Sequence, residues 1–212
     1  MKGFDMCIKP RTRRDAGDLA ALAALTNIGG VAVEVNDDDW GFVRRVFEDA
    51  GLTVLRRVTI EVRKAGDVPR VASEARKKGY DIVAVLPLSD EAARYAARDE
   101  RVDLVVVRPG MARLVDSSQA GLHRMGGGAV ELQVTPLLSQ KQGFRTLMVV
   151  SRRAVAYSVP LVVSSCATTM WEFIPPRSIE ALLSALGVPE NYAKAFTYSH
   201  PWSIARRRMR RD

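Results

Sequence analysis

The sequence predicts an α/β fold of parallel strands joined by crossover helices, and three observations predict it. Short β-branched runs alternate with stretches of helical period, several boundaries carry capping residues, and the chain ends in helix alone. In order, the strand candidates are FDMCI from Phe4, VAVEV from Val31, TVLRRVTI from Thr53, DIVAVLPL from Asp81, VDLVVV from Val102, VELQV from Val130 and LVVSS from Leu161. Helical period fills 15–26, 38–50, 69–78, 90–98, 117–125 and 142–157 between them. Asp38 and Ser89 stand where N-caps belong, and Gly51, Gly79 and Gly187 where left-handed C-caps belong. After the last strand come RSIEALLSALG, PENYAKAFTYS and PWSIARRRMRR, all of helical character. Seven βα units with right-handed crossovers either close near the eight-stranded barrel size or stay open as a doubly wound sheet, and periodicity does not choose. No low-complexity linker divides the chain, so one domain over 1–212 is expected.

A chain of 212 residues with 47% apolar content can bury a full core. It has no apolar run of about 18 residues, and the N-terminal stretch lacks the apolar segment of a signal peptide, so a cytoplasmic protein without a membrane partner is expected. Cys7 and Cys166 lack CxxC spacing and are expected to be buried thiols. The net charge of +8 is concentrated at the ends: 1–14 carries +4 and 206–212 carries +4, so the middle is neutral. Within that middle, Leu132 to Trp171 contains no acid beside Lys141, Arg145, Arg152 and Arg153, which points to one basic face. Basic ends on a neutral body suit a polyanionic partner such as nucleic acid, and equally suit solvated tails.

Enzyme chemistry finds few candidates. A barrel hydrolase places its metal ligands at strand C-termini, whereas His123 falls inside a helix and His200 precedes Pro201 in the helical end, so no metal site is expected. The same scarcity of bases disfavours a nucleophile-base pair. Ser164, Ser165, Cys166, Thr168 and Thr169 form a hydroxyl-rich loop after a strand, better read as a loop satisfying its own backbone. Gly126, Gly127 and Gly128 end a helix instead of opening one, which makes them a flexible turn and not a phosphate cradle. Glu34, Glu61 and Glu131 lie on different strands and read as buried ion pairs or rim contacts. The terminal ARRRMRR spreads guanidinium groups around a helix, a geometry suited to phosphate oxygens.

From about Tyr80 onward the chain resembles the p30-type subunits of ribonuclease P, known in archaea as protein component 3. The likeness lies in ARYAARDERVDLVVV from Ala93, VELQVTPLL from Val130, Arg145 in the next helix, LVVSSCAT from Leu161, PRSIEALLSALG from Pro176, and a tail with Ala193, Ser199 and Pro201. The resemblance implies a single-domain TIM-barrel-like fold, and a place in the ribonucleoprotein that removes the 5′ leader from precursor tRNA. There the RNA holds the catalytic magnesium, and this type of protein binds no cofactor, pairs with a small RRM-like subunit and supports the RNA. By position, Arg94, Arg145 and Arg177 match basic residues of the family pattern and are the expected RNA or partner contacts. Lys141, Arg152, Arg153, Arg206, Arg207 and Arg208 join them as further candidates. Thr135 and Ile174 stand where the pattern has arginines, so the arginine-rich tail is the candidate to replace contact through those loops. The alternative is a free-standing barrel enzyme acting on a small phosphorylated substrate, with the 164–169 loop as its anion site; a third reading is a general RNA-binding protein.

Overall fold

The computed structural model describes residues 2–210. Seven strands run parallel and pair in sequence order: β1 (Gly3–Ile8), β2 (Ile28–Val33), β3 (Thr53–Val62), β4 (Ile82–Pro87), β5 (Leu104–Val106), β6 (Ala129–Gln133) and β7 (Leu161–Ser164). Helices α1 (Arg13–Leu25), α2 (Asp37–Asp49), α3 (Val68–Lys77), α4 (Asp90–Arg98), α5 (Ser117–Gly126), the short α6 (Val134–Leu138) and α7 (Gly143–Tyr157) form the crossovers. Beyond β7 lie α8 (Pro176–Ala185), α9 (Glu190–Lys194), a π-helical turn (Ala195–Ser199) and α10 (His200–Met209). Pro201 lacks an N–H and cannot continue the α-helical ladder, which accounts for the π turn just before it.

The sheet curls into a nearly closed, TIM-barrel-like cylinder. At the strand C-termini β1 meets the β7 loop in a single parallel bridge between Ile8 and Ala167, reinforced by Lys9 N–H to Ala167 O at 2.8 Å. At the other end the two strands part, and α10 fills the gap. His200 Nδ1 lies 2.9 Å from the carbonyl of Leu161, Trp202 packs edge-on against Phe4 with ring centroids 5.0 Å apart, and Ile204 and Ala205 join the barrel-lining side chains Phe4, Met6, Leu55, Ile82 and Leu104. Burying Ile204 there contributes roughly 1.5–3 kcal/mol, enough for α10 to seal the floor of the barrel. Asp103, fully buried, fastens it: the carboxylate accepts from Arg76, Val83 N, Arg207 and Arg208 at 2.5, 2.9, 3.0 and 2.6 Å.

Two local expectations need correction. The N-cap of α2 is Asn36 instead of Asp38: its side chain accepts from Asp39 N at 2.8 Å, with Asp37 to Asp39 all in the first turn, where carboxylates face the positive end of the helix dipole. The glycine turn is packed, not flexible, since a Cβ on Gly126 or Gly128 would lie within 2.4 Å of Ala97 O or 2.8 Å of Asp103 O. Ser89 caps α4 as expected, and Gly51, Gly79 and Gly187 have φ of 77, 78 and 83°.

Candidate functional site

A barrel presents its chemistry at the C-terminal ends of its strands, where side chains of several strands converge. Strand alternation turns Leu55 and Arg57 of β3 inward, and Arg57 is fully buried at the centre. Its guanidinium grips Glu131 of β6 in a two-pronged pair, Nη1–Oε1 and Nη2–Oε2 both at 2.6 Å, donates to Met6 O, and stands 3.4 Å from Glu34 Oε2. Ser164 and Gln133 donate to the same Glu131 carboxylate at 2.7 and 3.1 Å. Burial alone would raise the Glu131 carboxyl; Arg57 and these donors hold it below the usual range. Glu34 accepts from Thr59 at 2.6 Å and pairs with Lys9 at 3.1 Å, whereas Glu61 faces solvent. On β1, Asp5 accepts from Ser165 Oγ at 2.5 Å and Cys7 N at 3.0 Å, and burial pushes its carboxyl up to about 6. Cys7 and Cys166 are free buried thiols.

The interior is thus a closed polar network whose acceptors are spent on a permanently charged guanidinium and on neighbouring hydroxyls. On the loop after β7 and apart from this network, Thr168 donates to Glu172 Oε2 through both Oγ1 (2.6 Å) and N–H (2.8 Å). Among the described residues no group of three or more His, Cys, Asp and Glu side chains is arranged to hold a metal ion. His123 is buried in α5 with Nε2 3.2 Å from Gln119, and burial pushes it down to about 3, so it stays neutral. No helix among the described residues is long and apolar enough to cross a membrane.

The candidate basic residues fall at separate places. Arg94 of α4 clamps α5, reaching Asp116 at 2.8 and 2.5 Å and Gln119 at 3.0 Å. Lys141 is exposed on the connection from α6 to α7, where Gln142 adopts the left-handed φ of 71°, and Arg145 is exposed in the first turn of α7. The large apolar side chains of Leu138, at the end of α6, and Phe144, in the first turn of α7, are exposed beside this connection. Thr135 ties it to the β7 loop by donating to Glu172 O at 2.9 Å, next to Trp171, which is 87% exposed. Arg152 donates to Leu186 O at 2.8 Å; Arg153 donates to Val115 O at 2.9 Å and lies over Tyr157. Arg177 is exposed in the first turn of α8. The arginines of α10 divide: Arg206 points to solvent and lies 5.4 Å from the Trp202 ring, Arg207 pairs with Asp103 and Gly127 O, and Arg208 is buried on Asp103 and Glu100 O. Arg211 and Asp212 of the expected tail lie outside the described residues.

Arg57 and the exposed Trp171 escaped the sequence reading. The inward phase shared by Leu55 and Arg57 is the signal that marks Arg57 as internal. Nothing local marks Trp171 as exposed.

Comparison with known proteins places this architecture. A model of the family described as RNase P subunit p30 matches residues 2–212. The chain is 30% identical over 197 residues to ribonuclease P protein component 3 of Aeropyrum pernix, covering 91% of this chain and 92% of that protein. In fold it is similar to a chain in a cryo-EM structure of archaeal ribonuclease P with mature tRNA, with a TM-score of 0.80 and 22% identity over 98% of this chain and 93% of that one. With its whole described length matched by the family and by a relative of almost the same extent, the chain belongs to the RNase P subunit p30 family.

Proposed function

We propose that the chain is a protein subunit of ribonuclease P that supports the catalytic RNA in removing the 5′ leader from precursor tRNA and makes or breaks no bond itself. Membership of the p30 family carries this reading, and the relative of known name is a ribonuclease P component. The barrel supports it too, because the groups at the strand C-termini are bound to one another around Arg57 and the unspent cations lie outside. In this role the magnesium belongs to the RNA, the protein works in the cytoplasm, and its companions are the ribonuclease P RNA, a small RRM-like subunit and other ribonuclease P proteins. Contact with precursor tRNA is indirect.

The mechanism is electrostatic scaffolding. Exposed Lys141, Arg145, Arg177 and Arg206 neutralise phosphates where RNA helices crowd, release counterions and favour the compact RNA over open conformers. Mixing the chain with ribonuclease P RNA and the RRM-like subunit, and following assembly by mass photometry, tests the reading. A complex that forms with this RNA in preference to an unrelated folded RNA of equal length is expected. Indifference to the RNA's identity would move the chain to the class of general RNA binders.

A further inference from the structure

One cation of the N-terminal stretch, Lys2, meets the arginines of α10, while Lys9, Arg11, Arg13 and Arg14 pair elsewhere with Glu34, Glu172, Asp39 and Asp18. Lys2, just before β1, and Arg206, Arg207 and Arg210 at the end of the chain line a groove of about 810 Å³ at the N-terminal end of the barrel, with Trp202 in its wall. Among the described residues no acidic side chain lines it. The groove's wall and one of its free cations, Arg206, are held in place. Trp202 Nε1 donates to Lys2 O at 2.7 Å, Arg206 is braced 5.4 Å from the indole ring, and Arg207 is anchored to Asp103 at 3.0 Å. Gly29 lets Trp202 sit close, since a Cβ there would lie 3.0 Å from the indole. A guanidinium held before its partner arrives loses little side-chain freedom on pairing with a phosphate oxygen. The indole has its N–H committed to Lys2 O, its edge packed on Phe4 and Arg206 over its ring, so it serves as a brace and offers no free platform for a nucleobase.

We infer that this groove is a preformed cradle for an RNA phosphodiester backbone, read without regard to base sequence, with Lys2, Arg206 and Arg210 as its phosphate contacts. Arg207 and Arg208 belong instead to the fastening of α10. The inference rests on the ribonuclease P reading for the identity of the RNA, while the groove's chemistry applies to any RNA backbone.

The test uses the full chain with two probes, the cognate ribonuclease P RNA and a blunt 20-base-pair RNA duplex, each titrated from 50 to 200 mM salt. Replacing Lys2, Arg206 and Arg210 together by glutamine removes up to three phosphate contacts. The salt slope should fall in magnitude by about 2–3, and the wild-type advantage should shrink about 15–65-fold across that range. The three side chains are exposed, so an unchanged urea midpoint verifies the fold. Restoring R206K in the variant should recover about one unit of slope without full affinity, because an ammonium lacks the planar fork. An unchanged slope on both probes overturns the inference. An unchanged slope accompanied by lost association with the ribonuclease P proteins overturns it in favour of an acidic protein surface. If wild-type protein stimulates precursor cleavage while the triple variant keeps its slope, the groove assignment alone fails; if wild-type protein stimulates nothing, the subunit reading fails whatever the groove binds.

Discussion

Replacing Arg57 by methionine tests the physics of the barrel interior. Both Arg57 and Glu131 are wholly buried, and the pair is joined by two contacts of 2.6 Å. Removing the cation leaves Glu131 with only Ser164 and Gln133 as donors inside the protein. Breaking one side of such a pair costs about 3–5 kcal/mol, a large share of the roughly 5–15 kcal/mol that holds a domain together. The loss should depend on pH. Without Arg57, burial governs and raises the Glu131 carboxyl above its unfolded value; stability is then present at low pH and is lost as pH rises through the raised value. Urea unfolding of R57M should therefore show a smaller deficit near pH 4 than near pH 8, and R57M/E131L should recover much of the loss because no unpaired charge remains. An R57M protein within about 1 kcal/mol of wild type at pH 8, or a deficit equal at both pH values, would refute the reasoning.

Three further outcomes follow from named contacts. Asp103→Ala takes the carboxylate from three arginines, one of them buried, and leaves them only carbonyl acceptors; it should cost about 3–5 kcal/mol while exposing the Arg206–Arg208 region to trypsin, and intact resistance would show that α10 is held without this carboxylate. Asp5 is raised to about 6, so its contribution is present below about pH 4 and is lost as pH rises through 6; wild type should lose up to about 3 kcal/mol relative to Asp5→Asn between pH 4 and 7, measured by urea midpoints. His123, lowered to about 3, acts in the opposite sense: its contribution is present above about 6.5 and fades as pH falls toward 3, so His123→Leu should gain on wild type by up to about 5 kcal/mol, and a constant difference would contradict the buried neutral imidazole.

The strands and crossover helices were legible because they rest on local period. All seven strand candidates correspond to observed strands. β2 begins earlier than expected, at Ile28, because Gly29 and Gly30 carry no strand signal, yet a Cβ at Gly30 would collide with Phe4 and Thr53 O. Helix α6 was hidden by Pro136, which sits in its first turn where no donor is required. Closure was not legible. It depends on one bridge between Ile8 and Ala167 and on α10 packing beneath β1 from the far end of the chain, both non-local. The candidate cations were legible as types and not as environments: ARRRMRR does not reveal that Asp103 takes two of its arginines, nor does the sequence around Ala93 reveal that Arg94 is spent on Asp116. Charge counts along a chain cannot distinguish a cation that fastens a helix from one that meets a partner.

A protein that serves a catalytic RNA must change what that RNA does. The most direct test is multiple-turnover cleavage of precursor tRNA by the cognate ribonuclease P RNA plus the small RRM-like subunit, at moderate magnesium, with and without the chain. 5′-leader removal should rise sharply on adding the protein, and protein without RNA should cleave nothing. Cleavage by the protein alone, or no gain when the other components are folded and bound, would contradict that role.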